Sequence, residues 1–260
     1  MIAVIGVIMR GMRNNEATKT GNNEKNESSQ DWSWRRRLGK RLLGLRNWGE
    51  KGEKDSIVSD SGVAAANKGS SASGGDAFYC DPKDGIFGVF DDADNEKVTA
   101  AANLALLEMK DMLEEEKPER VEDLVDILES ASDTVHYDDT AGFASGTIGR
   151  IVEKNGDKVL LYASVGSSRL YHVRDGKANQ LTGDKSGNEN LLGHSDLRVK
   201  QAGELILSKG DKVVFCSSGI EVGSDLGNIV EQASSATKAT NELVRKSPVT
   251  NDRTAIVAEV

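Results

Sequence analysis

Asp91, Asp92 and Asp94 place three carboxylates within four positions, at the end of the apolar run Ile86-Phe87-Gly88-Val89-Phe90. Like charges that close repel unless water, a basic group or a cation compensates them. A hard divalent ion such as magnesium, manganese or calcium would do so through oxygen ligands. A solvated acidic turn leading into a helix would do so equally well, because carboxylates suit the positive end of a helix. An EF-hand is excluded: counted from Asp92 through Asp94 and Glu96, the sixth position is not glycine and the twelfth is Asn103.

Few other side chains carry chemistry by their spacing. Cys80 and Cys216 have no CxxC or CxxH partner, so neither a zinc site nor a dithiol motif is indicated, and they read as reduced thiols in a cytoplasmic protein. His136, His172 and His194 have no metal spacing and no nucleophile motif beside them. Gly142 to Gly149 belongs to a strand pattern, and no Walker-type or dinucleotide loop occurs. Arg169 alone reads as a structural ion-pair partner rather than a phosphate ligand.

The 260 residues suffice for one substantial domain and an appendage, and 37% hydrophobic content allows a core of ordinary size. Residues 1–50 hold ten Lys and Arg against five Asp and Glu, a net of +5 in a chain of net −9. The remainder is strongly acidic, which argues against nucleic acid as its partner. Met1 to Met9 is apolar but too short to span a bilayer, and no small-residue cleavage site follows Arg10.

Gly11 to Gln30 has almost nothing to bury and reads as disordered. Residues 31–48 hold all three tryptophans (Trp32, Trp34, Trp48) with Arg35, Arg36, Arg37, Lys40, Arg41 and Arg46. Leu38, Leu42 and Leu45 recur among them at helical spacing, a pattern that suits an anionic membrane surface, an acidic protein face or a solvated basic linker. Residues 50–75 look like a Gly/Ser-rich tether, so the expected division is a low-complexity region over 1–73 and a domain over 74–260. In that domain the sequence predicts a strand at Phe78–Cys80, a turn at 81–85 and the apolar strand 86–90. Two helices follow, around Val98–Leu113 and Val121–Leu128, the first ended by Pro118. An antiparallel meander comes next, over 143–152, 158–165 and 169–173, turned at Asn155-Gly156 and Asp175-Gly176. A strand at 213–216, a helix at 226–244 and a strand at 254–260 complete an α+β order.

The order of motifs resembles the PPM-type (PP2C-like) protein serine/threonine phosphatases. Gly75-Asp76-Ala77 is similar to the family's Glu-Asp-Ala, and Val89-Phe90-Asp91-Asp92-Ala93-Asp94-Asn95 to its Val-Phe-Asp-Gly-His-Gly-Gly. Ser145-Gly146-Thr147-Ile148, Val165-Gly166-Ser167-Ser168-Arg169, Lys209-Gly210-Asp211, Cys216-Ser217-Ser218-Gly219-Ile220 and Asn251-Asp252-Arg253-Thr254 follow in the family's order. The resemblance implies a PP2C-like α-β-β-α sandwich, two antiparallel sheets flanked by helices. It also implies magnesium or manganese as cofactor, a phosphoprotein as partner, and a metal-bridged water that attacks phosphorus in line.

Measured against that pattern, Asp91 keeps the bridging position and Asp76 an outer one, whereas Ser218, Ser167 and Asn251 stand where carboxylates are expected. Asp92 replaces the glycine that offers a carbonyl, Asp252 is one residue from the expected terminal ligand, and Ser71 stands near the expected phosphate-clamping arginine. A one-residue step along a strand turns a side chain to the other face, so Asn251 rather than Asp252 is expected in the cleft. Three functions follow as expectations: a catalytically impaired phosphatase domain that binds or regulates, with no metal or a residual one; an active magnesium- or manganese-dependent phosphatase rebuilt on Asp76, Asp91, Asp92 and Asp252; or a membrane-surface scaffold acting through Trp32 to Trp48.

Overall fold

The computed structural model describes residues 56–58, 64–69, 75–93, 101–138, 141–183 and 190–260. The chain divides into two units, Met1–Glu53 and Lys54–Val260, and all described residues lie in the second. The expectations placed on Arg35, Arg36, Arg37, Lys40 and Arg41, and on membrane docking through Trp32 to Trp48, fall outside the described residues. Among those described, no helix is long and apolar enough to cross a membrane.

Eleven strands are described: β1 (Ser56–Val58), β2 (Ala64–Gly69), β3 (Ala77–Asp81), β4 (Ile86–Asp92), β5 (Ala144–Lys154), β6 (Asp157–Val165), β7 (Arg169–Arg174), β8 (Lys177–Gln180), β9 (Gln201–Leu207), β10 (Lys212–Cys216) and β11 (Arg253–Glu259). They form two antiparallel sheets, one in the order β1-β2-β11-β10-β7-β8 and the other β3-β4-β5-β6-β9. Helices α1 (Ala101–Glu115) and α2 (Val121–His136) cover the second sheet; α3 (Leu226–Gln232) and α4 (Ala236–Lys246) cover the first.

The apolar residues sort into three layers by strand parity. Phe78, Phe87, Val89, Leu160, Leu170, Val213, Phe215 and Ile256 fill the space between the sheets. Ile86, Phe90 and Ile148, on the alternate positions, pack with Leu106, Met109, Leu124 and Leu128 of α1 and α2. Val214, Cys216, Ala255 and Val257 pack with Leu226, Val230, Leu243 and Val244 of α3 and α4. Successive side chains of a strand point to opposite faces, so a central strand in this four-layer arrangement must be apolar throughout. That is why the run 86–90 does not alternate. Gly88 interrupts it because a Cβ there would stand 3.1 Å from the Met109 sulfur, so its absence lets α1 lie close.

The structure corrects three expectations. Residues 64–69, read as part of a tether, form β2 and pair with β11 from Ala64↔Ala258 to Gly69↔Arg253. Their alanines are buried to 1% exposure or less, but alanine carries little hydropathy signal in a Gly/Ser-rich context. The helix read over 226–244 is two helices broken at Ala233, where Ser235 caps α4 by accepting a bond from the Lys238 N–H (3.3 Å). The third concerns the bound of β4, read over 86–90: the strand runs on through Asp92, so Asp91 and Asp92 are its last two residues.

The turn before β10 is fixed by Asp211, whose carboxylate takes two 2.6 Å bonds from Arg174 and one of 2.8 Å from the Ser208 N–H. His172 Nε2 lies 2.9 Å away. The Arg174 guanidinium, with these other donors, holds the Asp211 carboxyl well below the usual carboxylate range. A depressed folded-state value means that the stabilisation is present above the ordinary carboxylate range and is lost as pH falls below about 4. Asp211→Asn is therefore expected to cost about 2–3 kcal/mol at pH 7 and to flatten the acid limb of the stability curve, measured by urea unfolding from pH 7 down to pH 3.

Candidate active site

β4 runs between β3 and β5, with Ala77 opposite Phe90, Asp91 opposite Ser145 and Asp92 opposite Ala144. Asp76, immediately before β3, is thereby brought level with Asp91. By parity both follow Phe78, Phe87 and Val89 and face the space between the sheets. From the other sheet, β10 ends at Cys216 opposite Ala255, and Ser217 and Thr254 are tied through Ser217 N–H to Thr254 O and Thr254 N–H to Ser217 Oγ, both 3.0 Å. The polar ends of both sheets meet at one mouth.

Asp76, Asp91 and Asp252 lie there, with Asp92 on the other face of β4, and each is already engaged. Asp91, 9% exposed, accepts from the Ser218 N–H (2.8 Å) and Ser218 hydroxyl (2.5 Å), both on Oδ2. Asp76, 2% exposed, accepts from the Thr254 hydroxyl at 2.7 Å on Oδ2, while its Oδ1 is buried without a hydrogen-bond partner. Burial, and then the Asp91 charge beside it, push the Asp76 carboxyl well above its ordinary range. Asp92 points the other way from Asp91 and accepts from the Ala102 N–H at the start of α1 (2.7 Å). Its Oδ2 is buried without a partner. Asp252 accepts from the Gly75 N–H, and a Cβ on Gly75 would meet Asp92 Oδ2 at 2.8 Å, so Asp252 and Asp92 flank the same backbone.

The sequence expectation for the last motif is reversed. Asn251 is exposed, and Asp252 is the residue that faces the mouth. The parity rule was sound but counted from the wrong residue: Asp252 is an even step from Thr254, which faces the inter-sheet space, and Asn251 is an odd step from it. Ser167 is half-buried in the β6–β7 turn, and its neighbour Ser168 makes the inward contact, 2.6 Å from the Ser145 hydroxyl. Arg169 donates to the Ser218 carbonyl at 2.7 Å. Asp94 and Ser71 lie outside the described residues.

Sequence reasoning missed Lys68, whose ammonium donates to the Asp76 carbonyl at 2.5 Å, because it lay in the supposed tether. It also gave no role to the Thr254, Ser217 and Ser145 hydroxyls, although each belongs to a motif that stood out.

Two dications with a bridging water require several convergent anionic oxygens. Asp91 and Asp92 are on opposite faces of one strand, Ser218 and Asn251 bring no charge, and Asp91 Oδ2 is taken by Ser218. Among the described residues, no group of three His, Cys, Asp or Glu side chains converges to hold even one ion. The donor set does not fit a binuclear centre.

Burial pushes the Asp92 carboxyl up to about 6, with the Ala102 N–H opposing and the Asp91 and Asp252 charges adding to the rise. A raised folded-state value means that the folded chain holds the proton more tightly, so stability falls as pH rises from about 4 to 6. Asp92→Asn retains an acceptor for the Ala102 N–H. It is expected to remove that fall and to stabilise the domain by about 1 kcal/mol at pH 7.5 in urea unfolding, solvent access limiting the gain.

No protein-family model matches this chain, and no curated protein does. Solved structures do match. The catalytic domain of the serine/threonine phosphatase PstP, in complex with two manganese ions, superposes with a TM-score of 0.62 at 15% identity, over 75% of this chain and 96% of that one. The PPM Ser-Thr phosphatase MsPP of Mycobacterium smegmatis, in complex with cacodylate, gives 0.60 at 16% identity, covering 81% and 100%. PppA, described as a key regulatory component of the type VI secretion system (T6SS) in Pseudomonas aeruginosa, gives 0.56 at 18%, covering 78% and 99%. The two antiparallel sheets and their flanking helices are the PP2C-like fold of the PPM-type Ser/Thr phosphatases.

Proposed function

We propose that this chain is a PPM-fold domain without phosphatase turnover, a cytoplasmic binding or regulatory module whose partner is a protein, a phosphoprotein included. One observation carries the reading: the Ser218 hydroxyl and N–H both occupy Oδ2 of Asp91, the carboxylate that would hold a metal ion at this site. A serine in place of a carboxylate removes a unit of negative charge and fills the vacated position with a donor. Both changes disfavour a dication. The regulatory description attached to PppA, which shares the fold, accords with such a role.

Calorimetric titration with manganese and with magnesium, paired with hydrolysis of a phosphoserine peptide, tests this. The wild-type chain is expected to show no binuclear binding and no metal-dependent turnover, and Asp91→Ala is expected to change neither. The variant Ser218→Asp, which puts a carboxylate beside Asp91 at the mouth, is expected to gain at least about tenfold in manganese affinity, roughly 1.4 kcal/mol.

A second reading rests on the position of Asp252. Its approach to Asp92, whose Oδ2 is buried without a partner, favours a displaced magnesium or manganese site built from Asp76, Asp91, Asp92 and Asp252 in a working phosphatase. Metal-dependent hydrolysis that falls at least about tenfold in Asp252→Asn and is lost in Asp91→Ala would establish this reading and remove the first.

A further inference from the structure

The hydrogen bonds at the mouth share one property: most of them join one sheet to the other. Asp91 on β4 is held by Ser218, which follows β10. Asp76, preceding β3, is held by Thr254 on β11. Asp252, preceding β11, holds the N–H of Gly75, which leads into β3. Lys68 on β2 holds the carbonyl of Asp76. Donors and acceptors come from both sheets, so the contacts work in both directions across the gap.

From this we infer that the degenerate metal site of this chain is a clasp. Direct hydrogen bonds between the sheets supply the cross-link that bridging cations supply where carboxylates face one another, and the open end of the sandwich is closed without a metal. The inference rests on the reading of a metal-free domain and adds a role for the residues that remain. Four facing carboxylates would force the sheet ends apart. Here Ser218 stands where a carboxylate is expected and donates to Asp91 at 2.5 Å, and the Thr254 hydroxyl donates to Asp76 at 2.7 Å, so hydrogen-bond donors face the carboxylates across the gap. The geometry also explains why Asp252 is turned inward in place of Asn251: it is the acceptor for a backbone N–H of the opposite sheet.

Thermal unfolding of the whole chain tests the clasp. Ser218→Ala and Thr254→Val are each expected to lower the melting temperature by about 3–10 °C, whereas Ser195→Ala, at an exposed position, is expected to leave it unchanged. In a cycle of Ser218→Ala and Asp91→Asn, the double variant is expected to melt higher than the sum of the two losses requires, since the second change removes nothing further. Added manganese is expected not to raise the wild-type melting temperature and to raise that of Ser218→Asp. Unchanged melting of Ser218→Ala, or additive losses in the cycle, would overturn the clasp even in a chain without turnover. Manganese stabilising the wild type would do the same. Metal-dependent hydrolysis by the wild type would instead overturn the proposed function, whatever the variants' melting shows.

Discussion

A carboxylate enclosed between two β-sheets must be protonated, hydrogen-bonded or matched by a cation, since its desolvation otherwise costs more than folding returns. In this chain the requirement falls on Asp76 and Asp91, level with each other at the end of the inter-sheet layer. It is met by the Thr254 hydroxyl on Asp76, whose carboxyl burial pushes well above its ordinary range, and by Ser218 on Asp91. The arrangement of β3, β4, β10 and β11 at that end follows from it. Where two chains share the PP2C-like fold, the means of satisfying these oxygens, more than the backbone, separates a metal centre from a hydrogen-bonded closure.

The rest of the fold is organised by a simple alternation. Two sheets with helices on both outer faces need strands that are apolar on both sides, which the central strands β4 and β10 supply with Phe87 and Phe90, and Val214 and Phe215. Buried polar groups away from the mouth also tie elements together. Glu108 on α1, for instance, is 2% exposed and accepts from the Ser130 and Thr134 hydroxyls of α2 at 2.7 and 2.8 Å, joining the two helices where an unpaired charge would separate them.

Much of this was legible in the residues. The run 86–90, the Asn155-Gly156 and Asp175-Gly176 turns, where both partners of each pair adopt positive φ, and the order of strands and helices fixed the fold class. The serine at position 218, beside Asp91, was equally visible. What escaped were features whose signal is relational. The alanines of β2 become core only because β11 lies beside them, and Lys68 matters only because the Asp76 carbonyl ends up next to it. The orientation of Asp252 depended on which residue of the motif was taken to face inward, and periodicity of two gives no absolute phase without a fixed neighbour. Thr254 was that neighbour.

Phe87 and Phe215, whose ring centres are 5.8 Å apart, stand on the same strands as Asp91 and just before Ser218. Strands rise about 3.3 Å per residue, so this aromatic wedge sets the gap between the sheets about 13 Å below the polar mouth. Because packed interiors transmit strain, a larger or smaller ring at that depth alters the spacing of the oxygens above it. Selection can thus adjust the aperture of this domain from its interior, leaving every residue at the rim unchanged.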